Sequence, residues 1–186
     1  MITSKHRSQD QGMTLVELIS TIGIVAVLAS VVTPSFQNFL ESSKLSSSTN
    51  TLHTTLSLAR QNAITSGVNT YVCELSNNNN FNSCNTHRPF NAIWNEGWLV
   101  FQDNNHNTEL DKKDTILIIN RNNKGVGVIF NQRGKLRFRS DGSARSAGFY
   151  LCTKKASKHI LLLYTGRARV KNLSDQTRIQ QCQQNI

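Results

Sequence analysis

The first element that the sequence predicts is an apolar helix near the N-terminus. From Leu15 to Val32 the chain is almost wholly apolar, and Glu17 is the only charged residue in this run. Eighteen residues, at about 1.5 Å of rise per residue, nearly match the hydrocarbon thickness of a bilayer. Lys5 and Arg7 precede the run, which predicts a membrane span whose N-terminal end stays cytoplasmic.

A second helical pattern precedes Gly67, which is a natural stop. Its apolar residues recur at the spacing of one helix face, and they are Leu52, Leu56, Ala59 and Ala63. The intervening residues 42–51 are rich in Ser and resemble a linker by composition, yet they contain neither Gly nor Pro. They therefore form either a linker or a continuation of the apolar helix, so that one long helix would cover residues 13–66.

After Gly67 the pattern changes to short strands separated by turns such as Asp141-Gly142 and Thr165-Gly166. The predicted strands are Asn69–Glu74, Trp98–Gln102, Thr115–Ile119, Val126–Phe130, Leu136–Arg139, Phe149–Cys152, His159–Tyr164 and Arg167–Val170. This order predicts an α+β fold, in which a long N-terminal helix is followed by an antiparallel, β-rich domain over residues 67–186.

The segment that opens the apolar run reads Gly12-Met13-Thr14-Leu15-Val16-Glu17. It resembles the type III leader of type IV pilins and type II secretion pseudopilins at every position. The resemblance implies that residues 1–12 are a leader, which a prepilin peptidase removes between Gly12 and Met13 before the new terminus is methylated. It also implies an assembly role for Glu17, which would face the terminal amine of a neighbouring subunit. The chain is then expected in the bacterial inner membrane, as a single-pass protein with a periplasmic head, and in a type IV pilus after assembly.

Four further stretches resemble motifs of the GspH/FimT-type minor pilins and pseudopilins. They are the helix segment 59–67, the W-x-x-G-W strand at 94–103, the hairpin Phe138-Arg-Ser-Asp141-Gly142, and Gly166-Arg167-Ala168-Arg169. The last matches the G-R-x-R motif that occurs in FimT-type members linked to DNA uptake. The first three point to the fold family, and only the fourth points to a particular function.

Charge is unevenly distributed along the chain, whose formal net charge is +10. Residues 1–114 hold seven Lys/Arg and nine Asp/Glu, whereas residues 115–186 hold fourteen Lys/Arg and two Asp/Glu. Such segregation favours an anion-binding surface over a charge that serves only solubility.

The basic residues fall into two predicted rows. In an extended strand Arg167, Arg169 and Lys171 share one face, while Ala168 and Val170 point to an apolar inner face. A second row would be Arg133, Lys135, Arg137 and Arg139. Further candidate DNA contacts are Arg145, Lys154, Lys155, Lys158 and Arg178. Arginine forks suit phosphate oxygens, and nothing suggests a base-reading element, so we expect sequence-tolerant DNA binding. The alternative for either row is a solvated strand face.

The four cysteines, in an exported domain, favour two disulfides. Three connectivities are possible, and pairing of nearest neighbours predicts Cys73–Cys84 and Cys152–Cys182. No zinc-ligand spacing is present, and the oxygen-rich segment 103–114 is either a calcium loop or, as we favour, a polar turn.

The sequence predicts neither an enzyme nor a cofactor, because no nucleophile elbow, P-loop or HExxH motif occurs. Two functions remain. The first is a FimT-like minor pilin that binds DNA during natural transformation, with other pilin subunits, prepilin peptidase and membrane lipid as its other partners. The second is a structural GspH-like pseudopilin of a type II secretion system. The basic C-terminal half favours the first.

Overall fold

The computed structural model describes residues 13–78, 81–85, 89–94, 96–121, 125–172 and 176–184. The element order is α1 (Leu15–Ser66), β1 (Thr70–Asn78), β2 (Phe81–Asn85), β3 (Ala92–Ile93), β4 (Gly97–Gln102), β5 (Thr115–Arg121), β6 (Gly127–Phe130), β7 (Leu136–Phe138), β8 (Ala147–Cys152), β9 (Ser157–Leu162), β10 (Ala168–Asn172) and α2 (Gln176–Gln183). The predicted α+β class is confirmed, and residues 42–51 are helical.

The chain divides into two units, Met1–Phe39 and Leu40–Ile186, and each is described by itself. In the first unit Thr14 caps α1, because its hydroxyl oxygen accepts a hydrogen bond of 3.3 Å from the backbone N–H of Glu17. The apolar side chains that the structure describes in this unit are exposed, Leu15 by 72% and Val27 by 67%. Within the described residues, no helix is both long enough and apolar enough to cross a membrane. The membrane span predicted for residues 15–32 is therefore not confirmed.

The second unit contains two antiparallel sheets of five strands each. In the first sheet the order is β2-β1-β4-β5, and β7 also pairs with β1; in the second sheet the order is β10-β9-β8-β6-β3. The C-terminal part of α1 packs on both sheets through the predicted stripe, in which Leu52 and Ala63 are fully buried. Trp98 of β4 donates from its indole Nε1 to the hydroxyl of Thr55 at 3.3 Å, which fixes the first sheet to α1.

Two smaller apolar clusters cover the opposite faces of the sheets. On the first sheet Tyr71, Leu99 and Phe101 are buried beneath Leu110 of the 103–114 segment. On the second sheet Ile129 and Cys152 are buried with Cys182 of α2. Both disulfides form with the predicted pairing, Cys73 to Cys84 and Cys152 to Cys182. The second disulfide holds α2 against this face of the second sheet.

Candidate nucleic-acid interface

The strand β10 is the edge strand of the second sheet, and it carries the predicted arginine row. Arg169 pairs with Leu161 and Lys171 pairs with His159, so both basic side chains lie on the face away from α1. Arg169, Lys171 and the preceding Arg167 are all exposed. Within the described part of the chain, no hydrogen bond or ion pair engages these three side chains. We call Arg167, Arg169 and Lys171 the β10 surface.

The inner face of β10 differs in part from the prediction. Ala168 is half-buried and its carbonyl oxygen lies 3.2 Å from Nε2 of His53 on α1. Val170, predicted to be covered, remains 42% exposed. The order of the sheet explains this, because no other strand of the described residues pairs with β10 on its outer side.

The turn that precedes Arg167 depends on two residues that pack against the neighbouring hairpin. Gly166 has a φ of 73°, and a Cβ built there would collide with the carbonyl oxygen of Gly142. Arg60 of α1 donates from Nε to the carbonyl oxygens of Gly142, at 3.1 Å, and Thr165, at 3.2 Å. The glycine of the G-R-x-R segment and Arg60 therefore fix the position of Arg167, directly before β10. The sequence marked Arg60 only as part of a helix motif and gave no sign of this contact.

Of the other predicted contacts, Lys154 and Lys155 are exposed in the β8–β9 turn, near the far end of the β10 surface. Lys158 does not join them. Its register partner is Asn172, which places it on the inner face, and its Nζ donates to the Ser46 hydroxyl of α1 at 3.1 Å. We therefore remove Lys158 from the proposed surface. The side chain of Arg178, on α2, lies outside the described part of the structure.

The second predicted row is not one strand face. Only Leu136–Phe138 forms a strand, and Gly134 has a φ of 66°, which breaks the alternation. The basic residues of this row instead surround a pocket of about 570 Å³ together with Arg145, which belongs to neither predicted row. We define the arginine pocket by its exposed cations, which are Arg133, Arg137, Arg139 and Arg145.

The cations around this pocket are held by specific neighbours. The guanidinium of Arg133 lies 4.8 Å above the ring of Phe90, and Nη1 of Arg139 donates to the hydroxyls of Tyr164, at 3.3 Å, and Ser143, at 3.4 Å. Lys135 also lines the pocket, but its ammonium donates to the backbone carbonyl of Thr108 and is partly withdrawn from solvent. Burial lowers the pKa of Lys135, although the nearby carboxylates Glu109 and Asp103 oppose this shift.

The 103–114 segment is a polar turn closed by its own side chains. Asp111 accepts hydrogen bonds from the side-chain amides of Asn105 and Asn107, each at 2.8 Å, and from the backbone N–H of Lys113 at 2.7 Å. These bonds lower the pKa of Asp111, and the bond from the backbone of Lys113 contributes most. No group of three or more His, Cys, Asp or Glu residues placed to hold a metal ion occurs in the described ranges. The choice between a polar turn and a calcium loop stays a prediction.

The predicted processing and assembly residues lie at the N-terminus. Gly12 is outside the described residues, whereas Met13 is 69% exposed and precedes α1. Glu17 is exposed in the first turn of α1. An acidic residue there is favourable for the helix itself, because the N-terminal end of a helix dipole attracts negative charge.

Comparison with known proteins gives a family match over the middle of the chain. The family profile described as Type II transport protein GspH matches residues 48–166. No curated protein matches significantly. A crystal structure of the type IV minor pilin FimU from Pseudomonas aeruginosa PAO1 is similar in fold, with 14% identity, a TM-score of 0.54, and coverage of 74% of this chain and 95% of that chain. A second crystal form of FimU has a TM-score of 0.47 and 14% identity, over 70% of this chain and 94% of that chain.

Proposed function

The chain belongs to the GspH family, and we propose that it is a minor type IV pilin that binds DNA through the β10 surface for uptake in natural transformation. One observation carries the proposal, which is that Arg167, Arg169 and Lys171 point from one edge strand into solvent without partners among the described residues. Exposed arginines without a carboxylate partner retain their full capacity for phosphate contact.

The spacing of this surface suits a phosphate backbone. Alternate residues of a strand lie about 6.8 Å apart, so Arg167, Arg169 and Lys171 present three cations over about 13 Å. Phosphates within one DNA strand lie at a similar separation, since base pairs rise by about 3.4 Å and the backbone winds around the axis. The absence of a helix placed to enter a groove, among the described elements, fits sequence-tolerant binding.

The remaining parts of the proposal follow from the leader resemblance. We propose that prepilin peptidase cuts between Gly12 and Met13, and that the first half of the 13–66 helix anchors the protein in the inner-membrane lipid before assembly. The 67–186 domain would then be periplasmic, and Glu17 would pair with the terminal amine of an adjacent pilin subunit in the filament. A misplaced acid in an apolar environment is costly, so this pairing would favour correct stacking.

The rival function is that of a structural pseudopilin of a type II secretion system, which the family description also fits. The two functions differ in what the β10 surface does. A structural subunit has no need of three neighbouring unpaired cations on an edge strand, whereas a DNA-binding subunit requires them.

A binding assay on the full-length chain in a neutral detergent tests the proposal. We expect duplex binding without marked sequence preference. If about three to five phosphates are contacted, log affinity should fall against log salt with a slope of roughly −3 to −4.5. Arg167→Gln with Arg169→Gln should weaken binding to all sequences and make the slope shallower by about 2.

The matched control is Lys112→Gln with Lys113→Gln, which removes the same charge from exposed positions in the 103–114 turn. This control should bind like wild type. Wild-type affinity in a folded Arg167/Arg169 double variant would overturn the β10 surface as the DNA-binding site, and no measurable DNA binding by the wild-type chain would favour the structural pseudopilin.

A further inference from the structure

The arginine pocket has a composition that the β10 surface lacks, because it combines cations with aromatic rings in a concavity. Four exposed arginines surround it, Tyr71 and Phe130 also line it, and no Asp or Glu is among its lining residues. A nearby carboxylate, Asp141, is attracted by Arg139, but its pKa is lowered chiefly by its hydrogen bonds with Ser143. Asp141 therefore stays ionised beside Arg139, but the four arginines that surround the pocket outnumber it, so the net charge around the pocket is positive.

The most exposed aromatic ring of the pocket is that of Tyr164, at 63% exposure. Its hydroxyl accepts from Arg139, and its backbone carbonyl accepts from the N–H of Ala144 at 3.0 Å. The ring is thereby held at the pocket while most of its surface stays in water. An exposed aromatic ring held beside arginines is the arrangement on which single-stranded nucleic acids stack their bases.

The size of the pocket limits what can enter it. A volume of about 570 Å³ accommodates a nucleotide-sized group, since ligand pockets fall between about 300 and 1,000 Å³. A base inside an intact duplex cannot reach a concave site without leaving its stack, which costs a few kcal/mol. A base of a single strand or of a frayed end carries no such cost.

The pocket is also connected to the β10 surface by one tight turn. The backbone N–H of Leu163 donates to the carbonyl of Arg167 at 3.0 Å, and that of Gly166 donates to the carbonyl of Leu163 at 2.9 Å. Tyr164 lies within this turn, three residues before Arg167. The turn that carries Tyr164 therefore directly adjoins Arg167, the first cation of the β10 surface.

We propose that the arginine pocket binds one nucleotide of a single DNA strand, with its phosphate held by Arg137 and Arg145 and its base stacked on Tyr164. The pocket makes the protein prefer single-stranded segments and frayed ends to intact duplex. This inference rests on the proposed DNA-binding function, and it names the form of DNA that the protein captures.

The test uses the full-length chain in neutral detergent and fluorescence anisotropy with two probes, a single-stranded oligonucleotide of about 12 residues and the blunt duplex of the same sequence. Wild type should bind the single strand more tightly at equal salt. Tyr164→Leu should weaken single-strand binding by about 5- to 100-fold, because it removes one stacking platform, and should change duplex binding less than about twofold. Tyr164→Phe keeps the ring and should retain most of the affinity.

Arg137→Gln with Arg145→Gln should weaken single-strand binding and make its salt slope shallower by about 0.7 for each phosphate that is no longer neutralised. Lys112→Gln with Lys113→Gln removes equal charge from the 103–114 turn and should have no effect. Circular dichroism of each variant checks that the fold is kept, which we expect because all these side chains are exposed.

The outcomes separate this inference from the proposed function. If the pocket variants bind the single strand like wild type while Arg167→Gln with Arg169→Gln binds duplex poorly, the pocket assignment is overturned and the β10 surface stands. If the reverse holds, the β10 surface is overturned and the pocket stands. If inorganic phosphate at constant ionic strength displaces the strand and Tyr164→Leu has no effect, the pocket is a simple anion site and the stacking proposal is overturned.

Discussion

Replacing Gly166 with Ala tests how the G-R-x-R turn is built. At a φ of 73° an L-residue with a Cβ costs roughly 1–2 kcal/mol in backbone strain. The added Cβ would also collide with the carbonyl oxygen of Gly142 and lie 2.9 Å from Nε of Arg60. The first of these atoms belongs to backbone, so the two turns must separate, and both hydrogen bonds of Arg60 would weaken. Loss of these two hydrogen bonds, each worth about 0.5–1.5 kcal/mol, adds about 1–3 kcal/mol, which gives a total of about 2–5 kcal/mol.

The chain offers a matched control for the strain alone. Gly67 has a φ of 69°, and a Cβ added there would meet nothing within 4 Å. Gly67→Ala should therefore lower the free energy of unfolding by only about 1–2 kcal/mol. The difference between the two variants isolates the collision at Gly166, because the two glycines have nearly the same φ.

Urea unfolding of the full-length chain, followed by tryptophan fluorescence, measures both variants. Trp94 and Trp98 are the two tryptophans of the chain, and both are buried in the core that α1 shares with the sheets. Their emission should shift when this core opens. Equal urea midpoints for Gly166→Ala and Gly67→Ala would refute the argument, because the close approach of the two turns would then not affect the free energy of unfolding. Gly166→Ala should also weaken DNA binding, since it displaces Arg167.

Three further predictions concern processing, assembly and cross-linking. Gly12→Leu should block removal of the leader, and the mass of the protein isolated from membranes would be that of the precursor; a mature mass would contradict the leader assignment. Glu17→Ala should be processed normally but enter filaments poorly, and equal incorporation on immunoblots of sheared pili would count against its pairing role. Cys152→Ser with Cys182→Ser should lower the free energy of unfolding, measured by urea titration, by about 2–4 kcal/mol. It should also weaken DNA binding, measured by anisotropy, because α2 is released from the second sheet. Unchanged values would show that packing alone holds α2.

Local periodicity predicted most of the fold. The apolar residues at helical spacing from Leu52 to Ala63 correctly indicated the buried face of α1. Apolar runs such as Trp98–Gln102 indicated strands that are buried on both sides. Three elements were missed for identifiable reasons. The strand β2 is largely polar, and β3 is only two residues long. The helix α2 is Gln-rich; Cys182 is buried among its described side chains, and this burial follows from its disulfide.

The candidate site was predictable only where it lies within a single strand. Alternation placed Arg167, Arg169 and Lys171 on one face, and the register agrees for Arg169 and Lys171, the two of them that lie within β10. The same rule failed for residues 133–139, because a positive φ at Gly134 turns the chain before β7 begins. The arginine pocket joins that segment to Arg145, on the other side of a turn, and to Tyr164, which is distant in sequence, so strand alternation could not have brought them together.

The boundary of the family match bears on the choice between the two proposed functions. The match covers residues 48–166 and so ends at Gly166, one residue before the β10 surface begins. The strands β1 to β9, most of the shared core and the contact of Arg60 with the turn lie within the matched range, and they would serve a structural pseudopilin and a DNA-binding pilin equally. Arg167, Arg169 and Lys171 lie beyond it. The family match therefore supports the fold but does not distinguish the two proposed functions. That choice depends on Arg167, Arg169 and Lys171, which lie on or next to an edge strand and are unpaired among the described residues.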